Sequence, residues 1–263
     1  MASTITLYTF GNMVDADIDS ATSSATGYPK ENLIDNNPDT SWKATDTADN
    51  TLKFDLNAAY AVTCVFLFIR NYASITDSEI YNLYYSDNGD DVTPTWTFVS
   101  GSPSIADKTS PIHIRTITSA THRWWSISTA LITTTPEISM VAFGKTNSIT
   151  IGNQWPEDDT DEFANKTIKG DDGRHAVIGL NSRSYLEFSR KFLINGDTNY
   201  TALRAAHQDS YGSRLPLIYY DGTTYRLVKF ADDSFKKNQL DYQLYNPTVK
   251  FAEMPYRPAG KAF

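Results

Sequence analysis

The chain has 263 residues, 40% of them hydrophobic and 21% charged, which is enough to bury one large core or two of ordinary size. Thirty-one acidic residues against 23 basic ones leave a formal charge of -8, which excludes tracking along a nucleic-acid backbone, since that needs a concentrated basic face. A single cysteine excludes an intrachain disulfide framework and a thiolate zinc site. The longest apolar run, Cys64-Val65-Phe66-Leu67-Phe68-Ile69, falls far short of the roughly 20 residues of a membrane helix, so no membrane span is expected. The opening Met1-Ala2-Ser3-Thr4-Ile5-Thr6-Leu7 has neither the basic patch nor the apolar stretch of a signal peptide, and synthesis in a cytoplasm is expected. Aromatic residues make up 13%, and they favour strands and contact surfaces.

Strand patterns recur at short intervals along the first half. Thr51-Leu52-Lys53-Phe54-Asp55-Leu56 alternates with a period of two, the mark of a half-buried strand, and residues 61–69 form a continuous apolar run that reads as a sandwich-core strand. Ile80-Tyr81-Asn82-Leu83-Tyr84-Tyr85-Ser86 follows, then turn chemistry in Asp87-Asn88-Gly89-Asp90-Asp91. Trp96 to Val99, Ile112 to Ile117, Arg123 to Ile127 and Ile138 to Phe143 complete a set spaced as in an antiparallel sandwich or jelly roll. The polar stretch Gly144-Lys145-Thr146-Asn147-Ser148 is expected to end this first core, giving domains of 1–146 and 147–263.

The second half opens on Gln154-Trp155-Pro156 and an acidic stretch, Glu157-Asp158-Asp159-Thr160-Asp161-Glu162, read as a solvated linker. Strands are expected near residues 175–179 and 184–189, then one helix over 198–208, with Tyr200, Leu203 and His207 on its apolar face and Asp197 or Thr198 as N-cap. Residues 215–220 and 224–230 flank an Asp221-Gly222 hairpin signal, and 239–244 and 248–254 read as further strands.

The segment Ala21-Thr22-Ser23-Ser24, Tyr28-Pro29 and Glu31-Asn32-Leu33-Ile34-Asp35-Asn36-Asn37-Pro38-Asp39-Thr40-Ser41-Trp42 resembles the opening of a discoidin (coagulation-factor type C) domain. Leu52 to Leu56, Val62 to Ile69, His122-Arg123-Trp124-Trp125-Ser126-Ile127 and Ile138 to Gly144 are similar to that family's later strands, in the same order. The resemblance implies a jelly-roll sandwich whose loops at one end bind sugars, lipid head groups or protein. It also implies a structural calcium held by the Leu33 carbonyl, the Asp35 carboxylate, the Asn37 carbonyl and Thr40, hard oxygen donors of the kind that ion takes. The glutamate that closes such a site is replaced by Ser139 or Met140, and Asp35 and Thr40 equally fit a loop that hydrogen-bonds to itself. No cofactor is otherwise required. Tyr28, Tyr72 and Trp96, with Arg70 and Asn71, are the candidate ligand contacts, because a ring stacks on a sugar face at low entropic cost; packing into the sandwich is the alternative for each. Trp42 reads as a core plug.

The order of elements in 147–263 resembles the small β-barrel or sandwich domains of distal-tail and minor tail proteins of tailed bacteriophages. That resemblance implies a virion component that forms a ring of three or six copies, contacts other tail proteins and projects the discoidin-like domain, with a host surface glycan as a candidate partner. A free carbohydrate-binding, lectin-like protein is the alternative.

No nucleophile elbow, zinc-binding helix, phosphate loop or paired-cysteine motif occurs, and His113, His122, His175 and His207 lack ligand spacing. The expectation is an all-β, non-enzymatic binding or assembly protein: an N-terminal discoidin-like jelly roll, then a smaller β-barrel or sandwich domain with one helix.

Overall fold

The computed structural model describes residues 3–47, 50–74, 81–99, 110–129, 134–151, 158–169, 175–191, 194–195, 197–231, 239–241, 244–245 and 248–254. They fall into two compact units, one holding Leu7–Asn147 and the other Ser148–Pro255 with Met1–Thr6. Both are built from antiparallel strands, with one α-helix among the described residues.

The strands of the first half are β1 (Ser3–Thr9), β2 (Asp17–Ala21), β3 (Trp42–Lys43), β4 (Thr51–Ile69), β5 (Asn82–Ser86), β6 (Thr97–Phe98), β7 (Ile112–Ser128) and β8 (Glu137–Ile151). The alternating and the continuous apolar segments expected as two strands are one, β4, and the expected pair over 112–127 is likewise one, β7. The polar stretch 144–148 is a correction of a different kind: it continues β8 instead of breaking it. Gly144 makes this possible, since a Cβ there would lie 2.0 Å from the Thr9 carbonyl oxygen.

One contact shows that β4 must fold back. In an extended strand Phe54 and Val65 would lie about 36 Å apart. Yet Phe143, the register partner of Val65, has its ring centroid 5.2 Å from that of Phe54. The pairing of β4 with β7 slips between Asp55 and Tyr60 and again between Val62 and Cys64, and Asn57 adopts the left-handed φ of 65° there. Its amide donates to the Asp55 carboxylate (2.8 Å) and its side chain to the Asp15 carbonyl (2.6 Å). Asparagine tolerates this conformation because its short amide bonds locally.

The two halves of β4 therefore serve two layers. One runs β2, first half of β4, second half of β7, β5, β6; the other joins the first half of β7, the second half of β4 and β8. Leu52, Phe54 and Leu56 are buried while Thr51, Lys53 and Asp55 are half-buried, and residues 64–69 are buried throughout, as a strand covered on both faces must be. Phe143 sits between Phe54 and Trp125 (5.4 Å), and Phe10 stacks on Phe66 at 5.3 Å on the opposite face.

The second unit holds β9 (Asp158–Lys169), β10 (His175–Lys191), β11 (Ile194–Asn195), α1 (Asp197–Asp209), β12 (Leu217–Tyr220), β13 (Tyr225–Phe230), β14 (Gln239–Asp241), β15 (Leu244–Tyr245) and β16 (Thr248–Glu253). Its sheet runs β9, β10, β16, β13, β12. Residues 158–162, read as an acidic linker, are strand: paired neighbours decide the conformation there, not charge. Glu157 and Gln154-Trp155-Pro156 lie outside the described residues. Leu203, Ala206 and Ser210 are fully buried, which turns the helix's inner face away from the expected Tyr200 stripe, and His207 packs edge-on to Phe230 at 4.9 Å. The hairpin between β12 and β13 closes on Asp221, whose Oδ1 accepts the Thr223 and Thr224 amides at 2.8 Å, while Gly222 takes a φ of 101°.

Two outcomes follow from the first unit. Burial pushes the Cys64 thiol up to about 12, outweighing the bonds from Thr146 and Gly144. Cys64 is therefore expected to resist iodoacetamide at pH 8 until the unit opens. Phe143→Ala is expected to cost about 3–5 kcal/mol and to speed that labelling in proportion. Arg123 grips both oxygens of Asp55 (2.7 and 2.6 Å) and holds its carboxyl below the ordinary carboxylate value. A depressed folded-state value contributes stability above the unfolded value that is lost as pH falls through the folded one. Melting midpoints taken from pH 7 down to pH 3 are expected to drop less steeply in Asp55→Asn than in the native chain.

Candidate functional site

Three connections cluster at the end of the sandwich where β2, β3 and the last residues of β4 stop. They are residues 22–41, 70–74 and 134–136, and hydrogen bonds tie them together. The Trp42 indole is fully buried and donates to the Ser23 carbonyl (2.9 Å) and the Ser24 hydroxyl (3.0 Å), so this ring is the core plug the sequence implied. Lys30 donates to the Ile18 and Asp19 carbonyls at 2.6 and 2.7 Å, and Asn32 to the Ser41 carbonyl at 2.7 Å.

Of the candidate ligand contacts, Tyr28, Arg70, Asn71 and Tyr72 all belong to this loop end. Tyr28 is 36% exposed, and the Lys43 ammonium lies 5.8 Å from its ring centroid. Arg70 and Asn71 point into the assembly of loops. Arg70 Nη1 donates to the Asp39 carbonyl (2.6 Å), and Asn71 donates to the Thr135 carbonyl (2.8 Å) while its own oxygen accepts the Glu137 amide (3.1 Å). Tyr72 is half-buried in the short turn that follows. Trp96 is not part of this group. It lies over Lys53 of β4, 5.8 Å from the ammonium, beside the loop that Asn88 organises through Ser86, Asp91 and Thr95. Within that loop Gly89 rests on Trp124, where a Cβ would approach a ring carbon to 2.3 Å.

The loop of residues 35–40 was the implied calcium cradle. Asp35 Oδ1 accepts the Asn37 amide (2.8 Å), and the Thr40 hydroxyl contacts both Asp35 Oδ2 (2.6 Å) and the Asn37 carbonyl (2.9 Å). Asn36, standing where the family has glycine, takes the positive φ of 57° that the turn needs. Calcium takes six to eight oxygens, several of them carboxylate. Here one carboxylate is engaged by its own loop, and the next, Glu137, receives the Ser41 hydroxyl (3.0 Å) and faces Arg70 (3.6 Å). Among the described residues no three acidic, histidine or cysteine side chains group as metal ligands. With Asp35 bonded within its own loop and Glu137 engaged by Ser41 and Arg70, these two carboxylates are taken up by protein partners.

Sequence reasoning missed Glu137, Ser41 and Lys43. The β4–β8 register slips between Phe68 and Ile69, so the carboxylate at this end comes from Glu137, earlier than the Ser139 or Met140 considered from spacing alone. A bulge leaves no mark in a spacing count.

Residues 18–128 match the F5/8 type C domain. The N-terminal unit carries that domain. Solved structures are similar over about half of the chain. CBM32 of AlyQ in complex with 4,5-unsaturated mannuronic acid is 27% identical, covering 48% of this chain and 95% of that one at a TM-score of 0.40. The family 32 CBM from C. perfringens NanJ in complex with galactose is 17% identical, covering 52% and 99% at 0.42. The C-terminal domain of a chitobiase from Bacteroides fragilis is 19% identical, covering 51% and 97% at 0.44. No curated protein matches the chain. The match thus takes in most of β2, all of β3 to β7 and two of the three connections just described, while residues 134–136 and β8, Glu137 included, lie beyond it.

Proposed function

We propose that this chain is a non-catalytic binding protein whose F5/8 type C domain takes a glycan at the loop end. The observation that carries the reading is Tyr28: a ring 36% exposed on a loop braced by the Lys30 and Asn32 bonds, with the Lys43 ammonium beside it. A fixed aromatic face stacks on the C–H face of a pyranose with little further loss of freedom, and a neighbouring ammonium donates to hydroxyl or carboxylate oxygens. The loops themselves are held by side-chain to backbone bonds, so little ordering is left for the ligand to drive.

A second reading concerns the other unit. In α1 and the sheet β9, β10, β16, β13, β12, one helix packs on strands through Leu203, Ala206 and His207. The tail-protein reading rests on the resemblance of this segment to such domains; in it, 147–263 assembles a ring of three or six copies within a bacteriophage virion and presents the glycan-binding domain outward.

Screening the full chain on a glycan array is expected to give binders, and Tyr28→Ala is expected to weaken the best of them tenfold or more, about 1.4 kcal/mol. An array without binders, or a Tyr28→Ala chain that binds as the native one does, would overturn the glycan reading. Light scattering behind a sizing column distinguishes the two readings of the second unit: a discrete trimer or hexamer is expected for ring assembly. A monomer at all concentrations leaves the lectin-like role alone standing.

A further inference from the structure

A single side chain, set in one of the three connections at the loop end, reaches a second and the strand that follows the third. Arg70 follows the last residue of β4, and its amide donates to the Glu137 carbonyl (2.9 Å), fixing the backbone beside the start of β8. From there its Nη1 reaches the Asp39 carbonyl at 2.6 Å, and its Nε lies 3.6 Å from Glu137 Oε1. The side chains of Arg70 and Glu137 are each only 15% exposed. The Ser41 hydroxyl donates to the same Glu137 oxygen at 3.0 Å, which ties the loop of residues 35–40 to the carboxylate from its other side.

We infer that the Arg70 guanidinium is the resident cation of this loop end, holding the 35–40 loop to the start of β8, so that the domain orders its loops without a metal ion. A guanidinium suits the position. Its charge is permanent, and its planar fork donates to the Asp39 carbonyl while its Nε faces the Glu137 carboxylate as an ion pair at 3.6 Å, beyond hydrogen-bond distance. A divalent cation beside the Glu137 carboxylate would sit against this fixed positive charge in a mostly buried setting where screening is weak. Within the 35–40 loop, Asp35 Oδ1 accepts the Asn37 amide, and the one Thr40 hydroxyl proton serves Asp35 Oδ2 or the Asn37 carbonyl. Lysine would not serve as well. A single ammonium is a point charge, and the two oxygens that Arg70 addresses lie on different loops.

The test is thermal unfolding of the full chain followed by tryptophan fluorescence, which reports mainly on this domain because Trp42, Trp96, Trp124 and Trp125 lie in it and Trp155 outside. The native chain is expected to melt at the same temperature in millimolar calcium and in EDTA. Arg70→Met is expected to lower the midpoint by several degrees in both, and Arg70→Lys to recover only part of the loss. A midpoint raised by calcium in the native chain, or an Arg70→Met chain as stable as the native one, would overturn the inference. Should Arg70→Met fail to fold, Glu137→Gln, which keeps the shape and removes the charge, is expected to lower the midpoint. An unchanged midpoint in that variant would count against the inference equally. No glycan enters the measurement, so its outcome is separate from that of the binding reading.

Discussion

Everything in the N-terminal unit depends on one ring, that of Phe143, wedged between Phe54 of one layer and Trp125 beside it. Because Phe143 is the register partner of Val65, a strand that carries both Phe54 and Val65 has to turn over on itself, and β4 does so at Asn57. Once the layers are closed by that contact, residues 64–69 are covered on both faces and the strand ends at residue 69 are brought beside the ends of β2 and β3. The loop end is therefore a product of the core. Its geometry is fixed by apolar burial some distance below it, which is how a sandwich presents variable loops on an invariant base.

Polar bonds then do at the loop end what rings do in the core. Trp42 joins the two regimes, with its indole ring buried and its N–H bonded to the Ser23 carbonyl. Around it, side chains reach backbone groups: Lys30 to residues 18 and 19 of β2, Asn32 to 41 within its own connection, and Arg70 to 39 and Asn71 to 135 across connections. Such bonds leave few side chains over for a ligand. Tyr28 stands out because its ring is not enlisted in the same way.

Strand identity was legible in the sequence wherever burial alternates or saturates, as in 51–56 and 64–69, and so was the hairpin around Asp221-Gly222, whose turn chemistry is local. The resemblance that pointed to a discoidin domain rested on the order of such segments, and the match over residues 18–128 agrees with it. What could not be read was anything that depends on bulges or on long-range pairing. Two strands became one at β4 and at β7 because a bent strand and a broken one have the same pattern. The acidic stretch 158–162 is strand through its pairing with residues 185–189 of β10, which charge composition does not reveal. Arg70 and Asn71 were singled out by neighbourhood to the aromatics, yet their partners, Asp39, Thr135 and Glu137, lie up to 67 residues away along the chain. Separation along the chain says nothing of which loop a guanidinium will find.

Among the described residues, the layer that begins with β2 finishes in β6, a strand of just two residues, Thr97 and Phe98, hydrogen-bonded on one side to β5. An unpaired strand margin is a template for foreign backbone, and the template's strength grows with the number of amides it offers in a row. Two residues offer almost none. Tyr84 holds the exposed Phe98 ring edge-on at 5.5 Å, which keeps even that apolar side chain attached to its own sheet. At this end of the layer the domain thus offers a neighbouring copy almost no backbone to pair with.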